Sequence, residues 1–352
     1  MCIRDSFIVA SSSCQKEELF SDQSRHDLWL LHEGGNFPVV VEGNTHSKVF
    51  VIFLHGGPGG SAQQINARFE AFTDLLEADY AMVYYDQRNA GLSIGEWEES
   101  KLTIEQLVED LEQVMSLLQV RFGNDIQLFL AGHSWGGYLG TSFLLESEQA
   151  AKIKAWININ GLTHRNLNQH HALDRIQVIG EEQITSQVNS TTWENILNLV
   201  QEERDKSISQ YDVDTEMLIF DLIDIAESQI NRDGALFSNQ TSALFPAIFS
   251  DNNDPFRLLI NGNRTRNLRT QSYAFDQKID ANLASITIPS LNIYGYYDVR
   301  TPVQQGAYFL DNISTTEEDK SLIVLERSGH TSIGNEPFKV AEEMKKWIEK
   351  YR

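Results

Sequence analysis

The 352-residue chain is short of cysteine: it has two, Cys2 and Cys14, both within the first fourteen positions. The remainder therefore offers no disulfide, no thiolate nucleophile and no cysteine-based metal site, and its chemistry must come from oxygen and nitrogen groups. Positive charge is also scarce. With 28 Lys and Arg against 50 Asp and Glu, the formal charge of −22 would repel a polyanion before specific contacts formed, so nucleic acid is excluded as a partner. No apolar run is long enough to cross a bilayer, and internal repeats and low-complexity tracts are missing. What remains is a chain long enough to bury a large core, as one elaborated domain or two.

The most informative feature present is GHSWGG, Gly132 to Gly137, at the end of the apolar run Ile126 to Ala131. A serine between glycines at a strand-to-helix corner is how a fold exposes a hydroxyl as a nucleophile. Ile126 to Leu130 reads as a short buried strand, and Leu139, Phe143 and Leu144 open an apolar helical face directly after the serine. Gly132 and Gly136 stand where any Cβ would collide with the neighbouring strand or helix. The bland alternative is an ordinary glycine-rich turn between strand and helix.

Along the chain, Leu28 to Leu31, Phe37 to Val41 and Val49 to Leu54 are apolar stretches separated by glycine and asparagine turn signals, and they predict successive strands. A helical stretch near Gln64 to Leu76, a strand Tyr80 to Tyr85 and a long helix from Thr103 follow. Thr103 and Gln106 predict a capping box, and Gly123 stops the helix. After strand Ile153 to Ile159, residues 161–285 are helical in character, and strand-like segments resume at Ile288 to Tyr294 and Ser321 to Leu325. This pattern predicts an α/β fold: a mostly parallel sheet with helices on both faces and an inserted helical cap. The division is 1–20 as leader or tail, 21–160 as the first part of the core, 161–285 as cap and 286–352 as the second part of the core.

A serine hydroxyl needs a histidine to take its proton and a carboxylate to fix that imidazole's tautomer. Asp298 follows the strand ending in IYGYYD, and His330 sits just after strand Ser321 to Leu325, so both belong at the same sheet edge as Ser134. His133, beside the serine, supports the turn, since adjacent residues on a sharp elbow point apart. The loop HGGPGG, His55 to Gly60, follows another strand and can aim backbone N–H groups at a developing oxyanion. Gly57 N–H and Trp135 N–H are the expected donors. A phosphate-cradling role for this loop is disfavoured, because the Lys and Ser/Thr of a P-loop do not follow it.

HGGPGG, then YDQRNAGLS at Tyr85 to Ser93, then GHSWGG together resemble the proline iminopeptidase family of serine aminopeptidases within the α/β-hydrolase fold. The resemblance covers about residues 27–160 and 286–350. It implies an eight-stranded sheet with a helical cap, and release of an amino-terminal residue, often proline, from short peptides. It also implies Ser134 as nucleophile, His330 as base, Asp298 as orienting acid, Gly57 with Trp135 as oxyanion hole, and an architectural role for Asp86, Gln87 and Arg88. Two positions depart from the family: Asn89 replaces the glycine usual after DQR, and His133 the glycine usual before the serine. No metal or organic cofactor is implied, and the expected partner is a small peptide or acyl substrate.

Two other readings stand beside the aminopeptidase: a carboxylesterase or amidase using the same triad, and a non-catalytic binding protein on a hydrolase scaffold. An aspartate-nucleophile enzyme is disfavoured because position 134 is serine. An aminopeptidase must hold a charged amine, for which Glu181, Glu182, Glu202 and Glu203 are candidates, although a solvated helix face accounts better for any one of them. Trp193, Phe220, Phe237, Phe245, Phe249 and Phe256 would line a pocket or form the cap's own core. At the amino terminus, Phe7 to Ala10 followed by Ser11 to Cys14 resembles the end of a bacterial lipoprotein signal peptide, which implies a lipid anchor at Cys14 and a place in the cell envelope. Read as a plain tail instead, the same stretch implies a cytoplasmic protein.

Overall fold

The computed structural model describes residues 25–95, 102–206, 212–237 and 266–352. Cys14, the expected anchor position, and Phe245, Phe249 and Phe256 lie outside the described residues.

Three leading strands, β1 (His26–His32), β2 (Gly35–Gly43) and β3 (Val49–Leu54), follow the predicted apolar stretches. The helical stretch after them divides at Phe69 into α1 (Ala62–Arg68) and α2 (Glu70–Glu77), because Phe69 leaves helical geometry at φ −123°, ψ 42°. Strand β4 (Ala81–Tyr85) and the two-residue β5 (Ile94–Gly95) precede α3 (Ile104–Phe122). Thr103 caps α3 by accepting the Gln106 N–H at 3.0 Å, but the predicted capping box is only half formed. Gln106 turns its amide to Glu109, 3.2 Å away, and leaves the return bond unmade. Gly123 ends the helix at φ 105°.

The chain then alternates: β6 (Gln127–His133), α4 (Trp135–Glu146) and β7 (Ile153–Ile159). Between β7 and β8 (Ser290–Gly295) come α5 (Arg165–Thr185), α6 (Ser190–Asp205), α7 (Val213–Arg232) and α8 (Arg266–Asn282). The closing part adds α9 (Val303–Asn312), β9 (Lys320–Leu325), α10 (Ser332–Asn335) and α11 (Pro337–Tyr351).

The strands form one sheet in the order β1-β2-β4-β3-β6-β7-β8-β9, with β5 paired to β2. The run from β4 through β9 is parallel, whereas β2 runs antiparallel to β1, β4 and β5. Among the described residues the count is thus nine rather than eight, because Ile94 and Gly95 add a short pair with Asn36 and Gly35.

Period-two alternation sends side chains to both faces of the sheet. Phe50 and Ile52 of β3 pack with Leu107, Leu111 and Leu118 of α3, while Val51 and Phe53 pack with Phe72 of α2 and Val340 and Met344 of α11. A third core, around Ile176, Trp193, Ile196 and Ile223, belongs to the inserted helices and also takes in Val299. Fully burying each such side chain stabilises by about 1.5–3 kcal/mol, so the insertion carries a core of its own. Helix α8 differs: its Phe275 and Ile279 pack into the α3–α4 side of the sheet.

In a parallel sheet the loops at the carboxyl ends of the strands converge on one edge, where such folds bind ligands. Ser134, Asp298 and His330 all follow the carboxyl ends of their strands.

Candidate active site

Ser134 occupies the corner between β6 and α4 with φ 57° and ψ −120°. A non-glycine residue there costs on the order of 1–3 kcal/mol, and the surroundings must hold it in place. They do so at both ends, through Ser134 N–H to Ile159 O at 3.3 Å and through Leu162 N–H to Ser134 O at 2.9 Å. The flanking glycines allow the approach. A Cβ on Gly136 would stand 2.0 Å from Leu54 O, and one on Gly132 would stand 2.5 Å from Gly136 O.

The structure brings the three predicted side chains together. Ser134 Oγ lies 3.0 Å from His330 Nε2, and His330 Nδ1 lies 3.1 Å from Asp298 Oδ2. Asp298 is fully buried and well supplied with donors. Its Oδ1 accepts the Arg300 and Thr301 N–H groups, each at 2.9 Å, and its Oδ2 accepts the Asn160 amide at 2.7 Å. Burial pushes this carboxyl up, but the adjacent His330 and the donors outweigh it and hold it below the usual aspartate value. An ionised Asp298 selects the tautomer that carries its proton on Nδ1 and leaves Nε2 free to accept from Ser134.

Two members of this network carry no motif in the sequence. Asn160, in the left-handed region at φ 45°, bonds Asp298 and the Gly329 carbonyl, 3.2 Å away. The Thr301 hydroxyl reaches Asn160 O at 2.6 Å and stands 3.0 Å from His330 Nδ1. The only advance signal was position, at the carboxyl ends of β7 and β8.

His133 stands 2.9 Å from the His330 carbonyl through its Nε2. Burial and the neighbouring His330 push its imidazole down to about 4, so it is neutral near pH 7, donates to that carbonyl and braces His330. Asp86 accepts the Ala62 and Leu92 N–H groups, each at 2.8 Å, and Gln87 spans the gap between His55 and the Trp135 indole. Arg88 makes a buried ion pair with Asp110. Asn89 holds φ 56°, a left-handed conformation that asparagine tolerates better than most residues with a side chain, which accounts for its standing in for glycine.

Gly57 and Trp135 line a cavity of about 260 Å³ together with Ser134. The candidate carboxylates are elsewhere: Glu181 and Glu182 border a separate surface hollow with Val178, and Glu202 and Glu203 are on α6. The carboxylates at the serine's cavity come instead from α7: Glu216, Asp221 and Asp224. Glu216 is fully buried, its Oε1 is bonded by Arg165 and Gln169, and its Oε2 has no partner. Of the aromatic candidates, Phe220 lines the cavity, Trp193 lies in the core of the inserted helices, and Phe237 is exposed under Arg327. Among the described residues, no group of three His, Cys, Asp or Glu is placed to hold a metal ion, and no helix is long and apolar enough to cross a membrane.

The α/β hydrolase fold family matches residues 49–337. The probable aminopeptidase YbaC of Bacillus subtilis (strain 168) is 24% identical over 85% of this chain and 88% of its own length. A proline iminopeptidase of Saccharolobus solfataricus is 34% identical over 28% of this chain and 29% of its own. Among solved structures, a proline iminopeptidase-related protein from Thermus thermophilus superposes with a TM-score of 0.60 at 16% identity, covering 93% of this chain and 98% of that one. An epoxide hydrolase from Bacillus megaterium does so at 0.55 and 15%, covering 92% and 100%. The family match spans most of the chain and agrees with a parallel sheet whose serine sits on the β6–α4 corner: the protein belongs to the α/β hydrolases.

Proposed function

We propose that this α/β hydrolase is a serine hydrolase of amide bonds, acting as an aminopeptidase on short peptides. The reading is carried by the relay from Ser134 through His330 to Asp298, at 3.0 and 3.1 Å. His330 Nε2 takes the hydroxyl proton as Ser134 Oγ attacks the substrate carbonyl carbon, and the oxygen's negative charge meets the N–H groups of Gly57 and Trp135. The imidazolium passes its proton to the leaving nitrogen, the C–N bond breaks, and the acyl group stays on Ser134 as an ester. Water, deprotonated by the same imidazole, releases the acid and restores the serine.

The aminopeptidase assignment is supported by Glu216, whose unpartnered oxygen and full burial suit an ammonium group, and by the curated relatives' names. One observation favours a second reading, a carboxylesterase: Arg165 already neutralises Glu216. Turnover of proline, alanine and leucine arylamides compared with a short-chain aryl ester separates the two. Activity on the ester and on none of the free-amine arylamides would sink the aminopeptidase assignment.

A further inference from the structure

Two cavities meet at Arg300. The nucleophile and both expected oxyanion donors open on the one of about 260 Å³. The base opens on a second, of about 190 Å³, bordered by Glu227, Asn231, Leu236, Arg300, His330 and Asn335. Arg300 lines both and is fixed from three sides. Its backbone N–H bonds Asp298 at 2.9 Å, its carbonyl accepts the Asn168 amide at 2.9 Å, and its guanidinium pairs with Asp224 and Glu227 of α7.

We propose that the smaller chamber is the leaving-group subsite, holding the amine half of the substrate, and that Arg300 is the wall between it and the acyl half. The assignment rests on the acyl-transfer reading of Ser134 and His330, not on the preference for a free amine. In that reaction the carbonyl oxygen must face Gly57 and Trp135, while the expelled nitrogen must receive its proton from His330 Nε2. The two halves of the substrate therefore separate along the line that divides the chambers. Volume agrees: small-molecule pockets run from about 300 to 1,000 Å³, a range that neither chamber reaches alone and both reach together.

The lining sets the class of group accepted. Asn335 is locked by its bonds to the Gly329 N–H and the Phe237 carbonyl, Glu227 is tied to Arg300, and Leu236 supplies one apolar wall. Such a chamber suits a single residue with a small or moderate side chain and discriminates against a bulky one.

The test uses substrates that share one acyl half and differ in the leaving group, ammonia against tryptophan amide, or methanol against benzyl alcohol should only esters be turned over. The readout is the ratio of kcat/KM for the bulky to the small leaving group. Asn231→Trp, which plugs the chamber, is expected to lower that ratio at least tenfold, and Leu236→Ala, which widens it, to raise it about threefold. Ratios within twofold of wild type in the folded variants, or a shift in the wrong direction, would overturn the subsite. Should one variant fail to fold, the other decides. A fluorophosphonate probe is run alongside: no label on folded wild-type protein removes the acyl-transfer reading and the subsite together, whereas labelling with unchanged ratios removes the subsite alone.

Discussion

His330 Nε2 lies 3.0 Å from Ser134 Oγ although 196 residues of chain separate them. A contact of that span exists only once the sheet has brought the ends of β6 and β9 to one edge, so it reports the folded state as well as the chemistry.

Ser134→Ala removes the proposed nucleophile and leaves the corner's backbone in place. A fluorophosphonate probe is expected to label the wild type and not the variant, with kcat/KM falling by roughly 10⁴ or more while circular dichroism is unchanged. Wild-type protein that is folded and unlabelled would point to a binding protein instead.

Asp298→Asn keeps the shape of the relay and reverses its tautomer preference, and kcat should fall about 10⁴-fold. The same variant bears on acid stability. A carboxylate held below its unfolded value contributes stability that is present above that value and lost as pH falls through the folded one. Urea midpoints taken from pH 5 down to pH 3 should therefore drop less in Asp298→Asn than in wild type.

Glu216→Gln tests the amine site. A charged hydrogen bond is worth about 1.5–3 kcal/mol, so KM for a free-amine arylamide should rise tenfold or more, with a much smaller change for an aryl ester. Equal changes for both substrates would mean that Glu216 serves only to pair with Arg165. A thermal melt guards against misfolding, because the substitution leaves that arginine without its charge partner.

Glu77 makes a separate prediction about pH. Burial raises its carboxyl from 4.5 to about 7, against the Tyr84 hydroxyl that bonds it at 2.8 Å. Because the folded-state value is the higher one, the contribution is fully present below pH 4.5 and lost as pH rises through 7. Glu77→Gln should flatten that part of the stability profile, by on the order of 1 kcal/mol given how far solvent screens a half-buried group. Parallel denaturation curves for wild type and variant between pH 5 and pH 8 would refute it.

Gly136→Ala places a methyl group 2.0 Å from the Leu54 carbonyl oxygen, and neither backbone can yield cheaply. Loss of folded protein, or destabilisation of at least about 3 kcal/mol by chemical denaturation, is expected. A variant as stable as wild type would show that β3 and α4 can move apart.

The strands and the serine corner were legible in the sequence because their causes are local. A continuous apolar run of five or six residues makes a buried strand, and Gly132 and Gly136 let backbone pass against backbone at the corner. The capping box at Thr103 forms only in part: Thr103 accepts the Gln106 N–H, while the Gln106 side chain lies along the helix toward Glu109 rather than back over the cap, an orientation that residue spacing does not set. Glu181, Glu182, Glu202 and Glu203 were candidates that a solvated face explained better, and none of them lines the serine's cavity. Residues 161–285 hold 18 acidic side chains, and composition cannot say which of them turns inward.

By itself, then, the sequence determined the α/β layering, the elbow that presents Ser134, and the strand ends from which Asp298 and His330 project. The tertiary structure alone decided that Asn160 and Thr301 brace the relay, that α7 rather than α5 or α6 turns its carboxylates toward the serine, and that Arg300 divides the space above it. The physical reason is range. A turn or strand is settled by forces within a few residues, whereas the rotation of an inserted helix about its axis depends on packing summed over its neighbours.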